Sequence, residues 1–275
     1  MDRVVLITGA SRGIGLATAV AFASAGDSVV ATMRDTAQSG PLKAAAAAAG
    51  VRVEVAELDV VSDESVEKAF ADLVAAYGRI DVLVCNAGTG THGTLEELTI
   101  EDLQRSLEVN YLGVARTTKA ALPLMREAAR GHLIAVTSVA GFLGQPFQDA
   151  YCAAKHAVEG MYEALAPVAA KLGIHTCIVE PGPVATDFSI RSGTATGTVD
   201  AIEPIKARYR ETMAQGSGRA QSPEGVAEVI LAIADDEDPP LRKQTSKFTS
   251  ILAAKKLVDL SGRSVVEFTS SWLST

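Results

Sequence analysis

The chain has 275 residues, 48% of them apolar, and a net charge of -8 from 25 Lys plus Arg against 33 Asp plus Glu. That length and apolar fraction describe a globular core and exclude a disordered chain. The acidic balance offers no basic patch for nucleic acid, and no apolar run is long enough for a membrane span.

The first half alternates short apolar runs with longer amphipathic ones. Strands are predicted at 3–8, 28–33, 52–58 and 80–85, with helices at 13–25, 36–49 and 63–77 between them. Such alternation reads as a parallel sheet covered on both faces. The opening MDRVVLITGA is too short and too soon structured for a signal peptide. Cys85, Cys152 and Cys177 show no metal-ligand or redox-motif spacing, which suits a reducing compartment and predicts a cytoplasmic protein. Nor do the four histidines show ligand spacing, so no metal is expected.

The first strand runs into TGASRGIG, residues 8–15. Gly9 allows a tight turn, Gly13 clears the way for a pyrophosphate, and Gly15 allows close helix–strand packing. Helix N-terminal amides then face the phosphates, with Ser11, Arg12 and Ile14 as further contacts. At the end of the second strand, where an NAD site places an acidic residue, stands Met33, followed by Arg34. Arg12 and Arg34 are expected to clamp a 2′-phosphate, making the cofactor NADP(H). Asp35 opposes this reading if the register is off by a residue or two. Asp59 is the candidate for the adenine amine, with Val60 packing beside it. CNAG closes the fourth strand: Asn86 bridges backbone groups, and Ala87 and Gly88 keep the turn low. Cys85 reads as a small buried hydrophobe.

The second half continues with a long helix at about 101–129, which Pro123 is expected to bend or divide. A strand follows at 132–137, a glycine-rich loop at 138–148, a helix at about 150–171 and a strand at 174–179. PGPVAT, 181–186, follows that strand, where the nicotinamide half of a dinucleotide belongs. Pro181, Gly182, Val184 and Thr186 are its candidate contacts. Residues 189–200 read as loop, 201–214 as a mobile charged helix, and 223–235 as a helix started by Pro223. Together 189–215 suit a lid. No repeat or linker divides the chain, so residues 1–275 are read as one domain.

Tyr151 and Lys155 lie four apart on a predicted helix and share a face. A nearby ammonium is expected to lower the phenol's pKa, so that the pair exchanges a proton with an alcohol or carbonyl oxygen while hydride moves. Both also stand to contact the cofactor. Ser138 ends the preceding strand within reach of the same oxygen. Asn110 is expected to hold a water linking Lys155 to solvent. His156 reads as packing locally, and Cys152 as facing away from the tyrosine.

These motifs together resemble the short-chain dehydrogenase/reductase family over residues 3–190. The resemblance implies a doubly wound Rossmann fold, α/β, with a central seven-stranded parallel sheet and helices on both faces. It further implies an Asn-Ser-Tyr-Lys tetrad and homodimers or homotetramers. VVATMRD, DVLVCNAG, PFQDAYCAAKHAVEG and GPVATDF are similar to the branch holding estrogenic 17β-hydroxysteroid dehydrogenase and retinol dehydrogenases. That branch implies NADP(H) and an apolar alcohol or carbonyl substrate, and PPLRKQTS at 239–246 fits its closing strand. Alternatives are a reductase of small or acyl-linked ketones and a silent dinucleotide-binding regulatory protein. The latter needs neither Tyr151 nor Lys155.

Overall fold

Val4–Ile7, the first strand β1, is buried at every residue, as a strand covered on both faces must be. The structure, a computed structural model, describes residues 2–215, 220–258, 268 and 271. After β1 come α1 (Gly13–Ser24), β2 (Ser28–Met33), α2 (Gly40–Ala48), β3 (Glu54–Glu57), α3 (Asp63–Tyr77) and β4 (Val82–Cys85). Then follow β5 (Thr91–His92), α4 (Ile100–Leu107), α5 (Gly113–Ala128), β6 (Gly131–Val136), α6 (Asp149–Ala170) and β7 (Ile174–Glu180). The rest comprises α7 (Phe188–Arg191), β8 (Gly193–Thr194), α8 (Glu203–Gln215), α9 (Pro223–Asp235), β9 (Arg242–Gln244) and α10 (Lys247–Val258).

The main sheet has seven strands in the order β3-β2-β1-β4-β6-β7-β9, every pair parallel. Successive strands step one way from β1 to β3 and the other way from β4 onward. The order therefore reverses between β1 and β4, and a crevice opens at their carboxyl ends. Alternating strand residues feed two cores. On one face Leu6, Leu83 and Leu133 meet Phe70 of α3, Met125 of α5 and Tyr162 of α6. On the other, Ile7 and Val84 meet Phe22 of α1, Leu42 of α2 and Ile230 of α9. Full burial of each such aliphatic or phenylalanine side chain contributes about 1.5–3 kcal/mol.

Helix ends follow local chemistry. The Ser62 side chain accepts from the Ser65 amide to start α3, and Gly78 ends it at φ 70°. Thr99 and Asp102 form a reciprocal capping box on α4.

Three expectations are corrected. The segment 36–49 is a short 3₁₀ turn, Thr36–Ser39, followed by α2, because Pro41 starts a new helix better than it continues one. The long helix is not divided at Pro123. That residue faces solvent inside α5, where water can satisfy the carbonyl its missing N–H leaves free. The irregularity is instead a π-turn at Glu108–Leu112, between α4 and α5. Finally, 189–200 is not all loop, since α7 overlaps its start and β8 pairs in parallel with β5. PPLRKQTS does supply the closing strand, with Val179 opposite Lys243.

Candidate active site

The crevice widens into a cavity of about 2050 Å³ along the carboxyl ends of the strands. Gly9, Ser11, Arg12, Gly13 and Ile14 line it from the first turn, and Arg34, Asp59 and Val60 from the next two strand ends. Asn86, Ala87, Gly88, Ser138, Tyr151, Lys155, Pro181, Gly182, Val184 and Thr186 also line it. Two candidates lie just behind the wall, Gly15 and Asn110.

The first turn is braced from β4. Thr8 Oγ1 accepts from the Asn86 and Ala87 amides, each at 3.0 Å. Asn86 Nδ2 donates back to the carbonyls of Thr8 and Gly9 at 3.0 and 3.1 Å. Gly9 sits at φ 68°, and a Cβ there would come within 2.7 Å of Ala87 Cα. At Gly15 a Cβ would lie 2.5 Å from Asn86 Nδ2. Only glycines let the two turns approach this closely. The N-terminus of α1 carries no side-chain cap and no acidic residue in its first turn. Its amides and dipole therefore remain available to an anion, and the turn fits a dinucleotide's phosphates.

At the ribose end Met33 is buried, and Arg34 is exposed on the cavity wall. Asp35 is spent on local structure, accepting from the Ala37 amide at 3.0 Å and from Gln38 Nε2 at 3.1 Å. Arg12 is also engaged. It pairs with Asp187 at 3.2 Å and donates to Gln38 Oε1 at 2.7 Å, spanning from the first turn to the segment after β7. Arg34 is the freer cation here.

At the other end α6 presents Tyr151 and Lys155 one turn apart, both buried. Ser138, directly after the Thr137 that follows β6, lines the cavity beside Tyr151, close enough to favour the ionised phenol. Lys155 Nζ donates to Val136 O at 2.9 Å and stands 5.7 Å from the Tyr151 ring centre. The expected lowering of the phenol pKa is not met. Burial pushes it well up, and Ser138 offsets only part of that rise. Burial also brings the Lys155 ammonium down to about 8, against smaller upward pulls from Cys85 and Glu159. Its proton is directed at a carbonyl rather than at the phenol.

Asn110 sits in the π-turn, fully buried. Its Oδ1 accepts from the Thr89 amide at 3.0 Å, and its Nδ2 donates to Thr89 O and Ser106 O, each at 2.9 Å. The side chain therefore holds the 88–90 turn beside Lys155. His156 bonds locally, its Nδ1 lying 2.8 Å from Cys152 O. The Cys152 thiol accepts from the Gln145 amide at 3.3 Å, away from the cavity. Among the described residues, no cluster of His, Cys, Asp and Glu could hold a metal ion.

Phe188 and Tyr209 of the cavity carry no motif that singles them out in the sequence. Phe188 of α7 packs on the Tyr151 ring, centroids 5.6 Å apart, and Tyr209 of α8 packs on Phe147 at 5.0 Å. Phe147 holds φ 63°, a left-handed conformation that costs a bulky residue about 1–3 kcal/mol. Its carbonyl accepts from the Gly93 amide at 2.9 Å. An aromatic in the charged stretch 201–214 is the available signal for Tyr209. His92 also lines the cavity.

A parallel sheet with a glycine turn and a Ser–Tyr–Lys cluster at one crevice defines the class: an α/β oxidoreductase built on a dinucleotide-binding fold. The family model for short chain dehydrogenases matches residues 3–196. The chain is 39% identical over 272 residues to retinol dehydrogenase 8 of Bos taurus, covering 94% of this chain and 86% of that protein. It is 40% identical over 275 residues to estradiol 17-beta-dehydrogenase 1 of Rattus norvegicus, covering 96% and 79%. A crystal structure of a short-chain dehydrogenase from Streptomyces avermitilis superposes with a TM-score of 0.84 at 34% identity, covering 98% and 97%. The chain belongs to the short-chain dehydrogenase family, oxidoreductases of CH–OH groups that use a nicotinamide dinucleotide.

Proposed function

We propose that the protein is an NADP(H)-dependent oxidoreductase interconverting an apolar secondary alcohol and its ketone, of steroid, retinoid or similar type. The observation that carries this reading is that Ser138, Tyr151 and Lys155 line one cavity whose other end is the uncapped α1 N-terminus. A bound nicotinamide dinucleotide supplies the hydride donor or acceptor. Tyr151 gives a proton to the carbonyl oxygen in reduction and takes it from the hydroxyl in oxidation, while the Ser138 hydroxyl bonds the same oxygen. Lys155 provides positive charge one helical turn away, and Asn110 secures the turn beside it. Arg34 selects the 2′-phosphate, and Arg12 adds to it from its bridge with Asp187.

Phe188, packed on Tyr151, and Phe147, Tyr209 and Leu252 elsewhere on the lining supply apolar walls to the cavity. In this reading 189–215 is the lid, and the two similar enzymes named for retinol and estradiol favour a large apolar substrate over a small one. The assembly is a cytoplasmic homodimer or homotetramer, a point for analytical ultracentrifugation and localisation. Among the described residues, no helix is long and apolar enough to cross a membrane. The test is a turnover screen with NADPH and NADP⁺ over steroids, retinoids, aliphatic ketones and aromatic diketones. Turnover of only small charged carbonyls, or of nothing, would overturn the proposal.

A further inference from the structure

Beside the candidate site, outside the main cavity, lies a buried charge cluster that the proposed reaction does not use. Glu180, the last residue of β7, is 0% exposed, and Glu159, one helical turn after Lys155 on α6, is 5% exposed. A single guanidinium serves both: Arg242 Nε of β9 lies 3.1 Å from Glu159 Oε2 and 3.5 Å from Glu180 Oε1. Its Nη2 donates to Glu163 at 3.0 Å, so one cation meets three carboxyl groups. Gln244 Nε2 donates to Glu180 Oε2 at 2.6 Å. Glu180 Oε1 is left with no hydrogen-bond donor among the described residues. The two carboxyl groups therefore face one guanidinium nitrogen from either side, and the negative charge of Glu159 acts on Glu180. Two ionised carboxylates so placed repel, and neither carries the hydrogen that the orphaned oxygen needs. A proton on one of them supplies it.

The cluster is wired to the segment that carries Ser138. Thr137 Oγ1 donates to Glu159 Oε1 at 2.8 Å and to Val179 O at 3.1 Å. The Thr137 amide donates to Val179 O at 2.8 Å, and the Val139 amide to Pro181 O at 2.9 Å. Ser138 is thus flanked by two residues tied to the strand end that holds Glu180. Gly141, closing the turn after Ser138, sits so tightly on Glu159 that a Cβ would lie 2.6 Å from Oε1. The other charged or titratable groups around the pair include Lys155, Glu163 and His156 of α6, Arg242 of β9, Lys256 of α10 and Cys177 of β7.

We propose that Glu159 and Glu180 share one proton, and that this carboxyl pair is a positioning device that holds Ser138 in register with Tyr151. The catalytic consequence rests on the function proposed above; the shared proton does not. Burial, with Glu159 adding to it, pushes Glu180 up to about 7, within the range where the proton can come and go. Loss of that proton sets two carboxylates against each other and loosens the Glu159 hold on Thr137. Glu180 is the raised group, so its contribution to stability is full below the ordinary carboxyl pKa and is lost as pH rises through about 7.

The test compares wild type with Glu180→Gln, which keeps the shape and cannot ionise, and with Glu159→Gln as an independent second variant. Melting temperature and kcat are followed from about pH 5 to about pH 9. Both variants should gain stability relative to wild type as pH rises. Wild-type kcat should fall roughly two- to tenfold across the transition near 7, and that step should vanish in Glu180→Gln while KM for the cofactor stays put. Melting curves that run parallel at all pH values would overturn the shared proton. An unchanged kcat profile in Glu180→Gln would overturn the positioning role. If no substrate turns over, the proposed function fails, and the melting curves still decide the pair.

Discussion

The Tyr151 ring packs against Phe188 with ring centres 5.6 Å apart and planes tilted by 53°. The proposed proton donor on α6 is therefore touched by the first residue of α7, beyond the end of the β7 strand. Chemistry and closure meet at this contact, because Phe188 immediately precedes the segment 189–215 proposed as a lid.

Tyr151→Phe removes the phenolic hydroxyl and keeps the ring that packs on Phe188. Turnover should drop by ~10²–10⁴-fold, the usual worth of a positioned acid or base. Melting temperature and NADP⁺ affinity should stay close to wild type, since the phenol contributes no hydrogen bond to the cores. Near-normal kcat in this variant would remove Tyr151 from the role assigned to it.

Arg34→Ala should weaken NADP(H) by ~10–100-fold and leave NAD(H) almost unmoved, the range expected for one charge-assisted contact. Arg12→Ala should act differently. It also breaks the bridge to Asp187 and Gln38, so both cofactors should lose affinity. Fluorescence titration of the four forms tests the split. Equal losses for NADP(H) and NAD(H) in Arg34→Ala would reject a phosphate contact there.

Lys206 of α8 is tied to Glu97, on the loop before α4, by a buried ion pair that Glu203 extends at 2.8 Å. Glu97 is 2% exposed, so removing its partner strands a charge in the interior. Lys206→Met should therefore release α8, and proteolysis within 188–215 should quicken roughly tenfold. Saturating cofactor and substrate should restore protection in wild type more than in the variant. Identical cleavage rates in the two proteins would mean that this pair does not latch the segment.

His132 and His175 stack across β6 and β7 with ring centres 5.0 Å apart. Burial lowers the His132 pKa, with His175 and Arg3 pushing the same way and Asp236 opposing. The neutral ring is the form the fold prefers. Its stability contribution is therefore full above the unfolded value of 6.5 and is lost as pH falls below it. The melting temperature of His132→Phe should hold up better than wild type between about pH 7 and about pH 5. Parallel pH curves would reject the linkage.

Much of this architecture is legible from local chemistry. Gly9, Gly13 and Gly15 announce a strand-to-helix turn by spacing, and Tyr151 with Lys155 announce a shared helix face by their separation of four. The π-turn at Asn110 is not legible, because its flanking residues keep a helical pattern across a single inserted position. Pro123 misleads for a related reason: whether a helical proline divides a helix depends on whether the freed carbonyl meets water, and only packing decides that. The engagement of Arg12 is invisible in the sequence, since Asp187 is far along the chain and arrives through the strand order. The Glu159–Glu180–Arg242 cluster is hidden likewise. Its one sequence signal is a glutamate closing the apolar run IHTCIVE, where a fully buried strand end calls for a partner.

That partner comes late. Arg242 lies on β9, which reaches its place beside β7 only after more than sixty intervening residues have been made. A growing chain emerging N-terminus first can assemble β1 to β7 while Glu159 and Glu180 still lack their cation. In that interval the end of β7 cannot dry out without stranding two carboxyl groups. The flank of Ser138 and the far edge of the sheet therefore wait on the same late segment, because the strand that extends the sheet beyond β7 also carries the cation for Glu159 and Glu180.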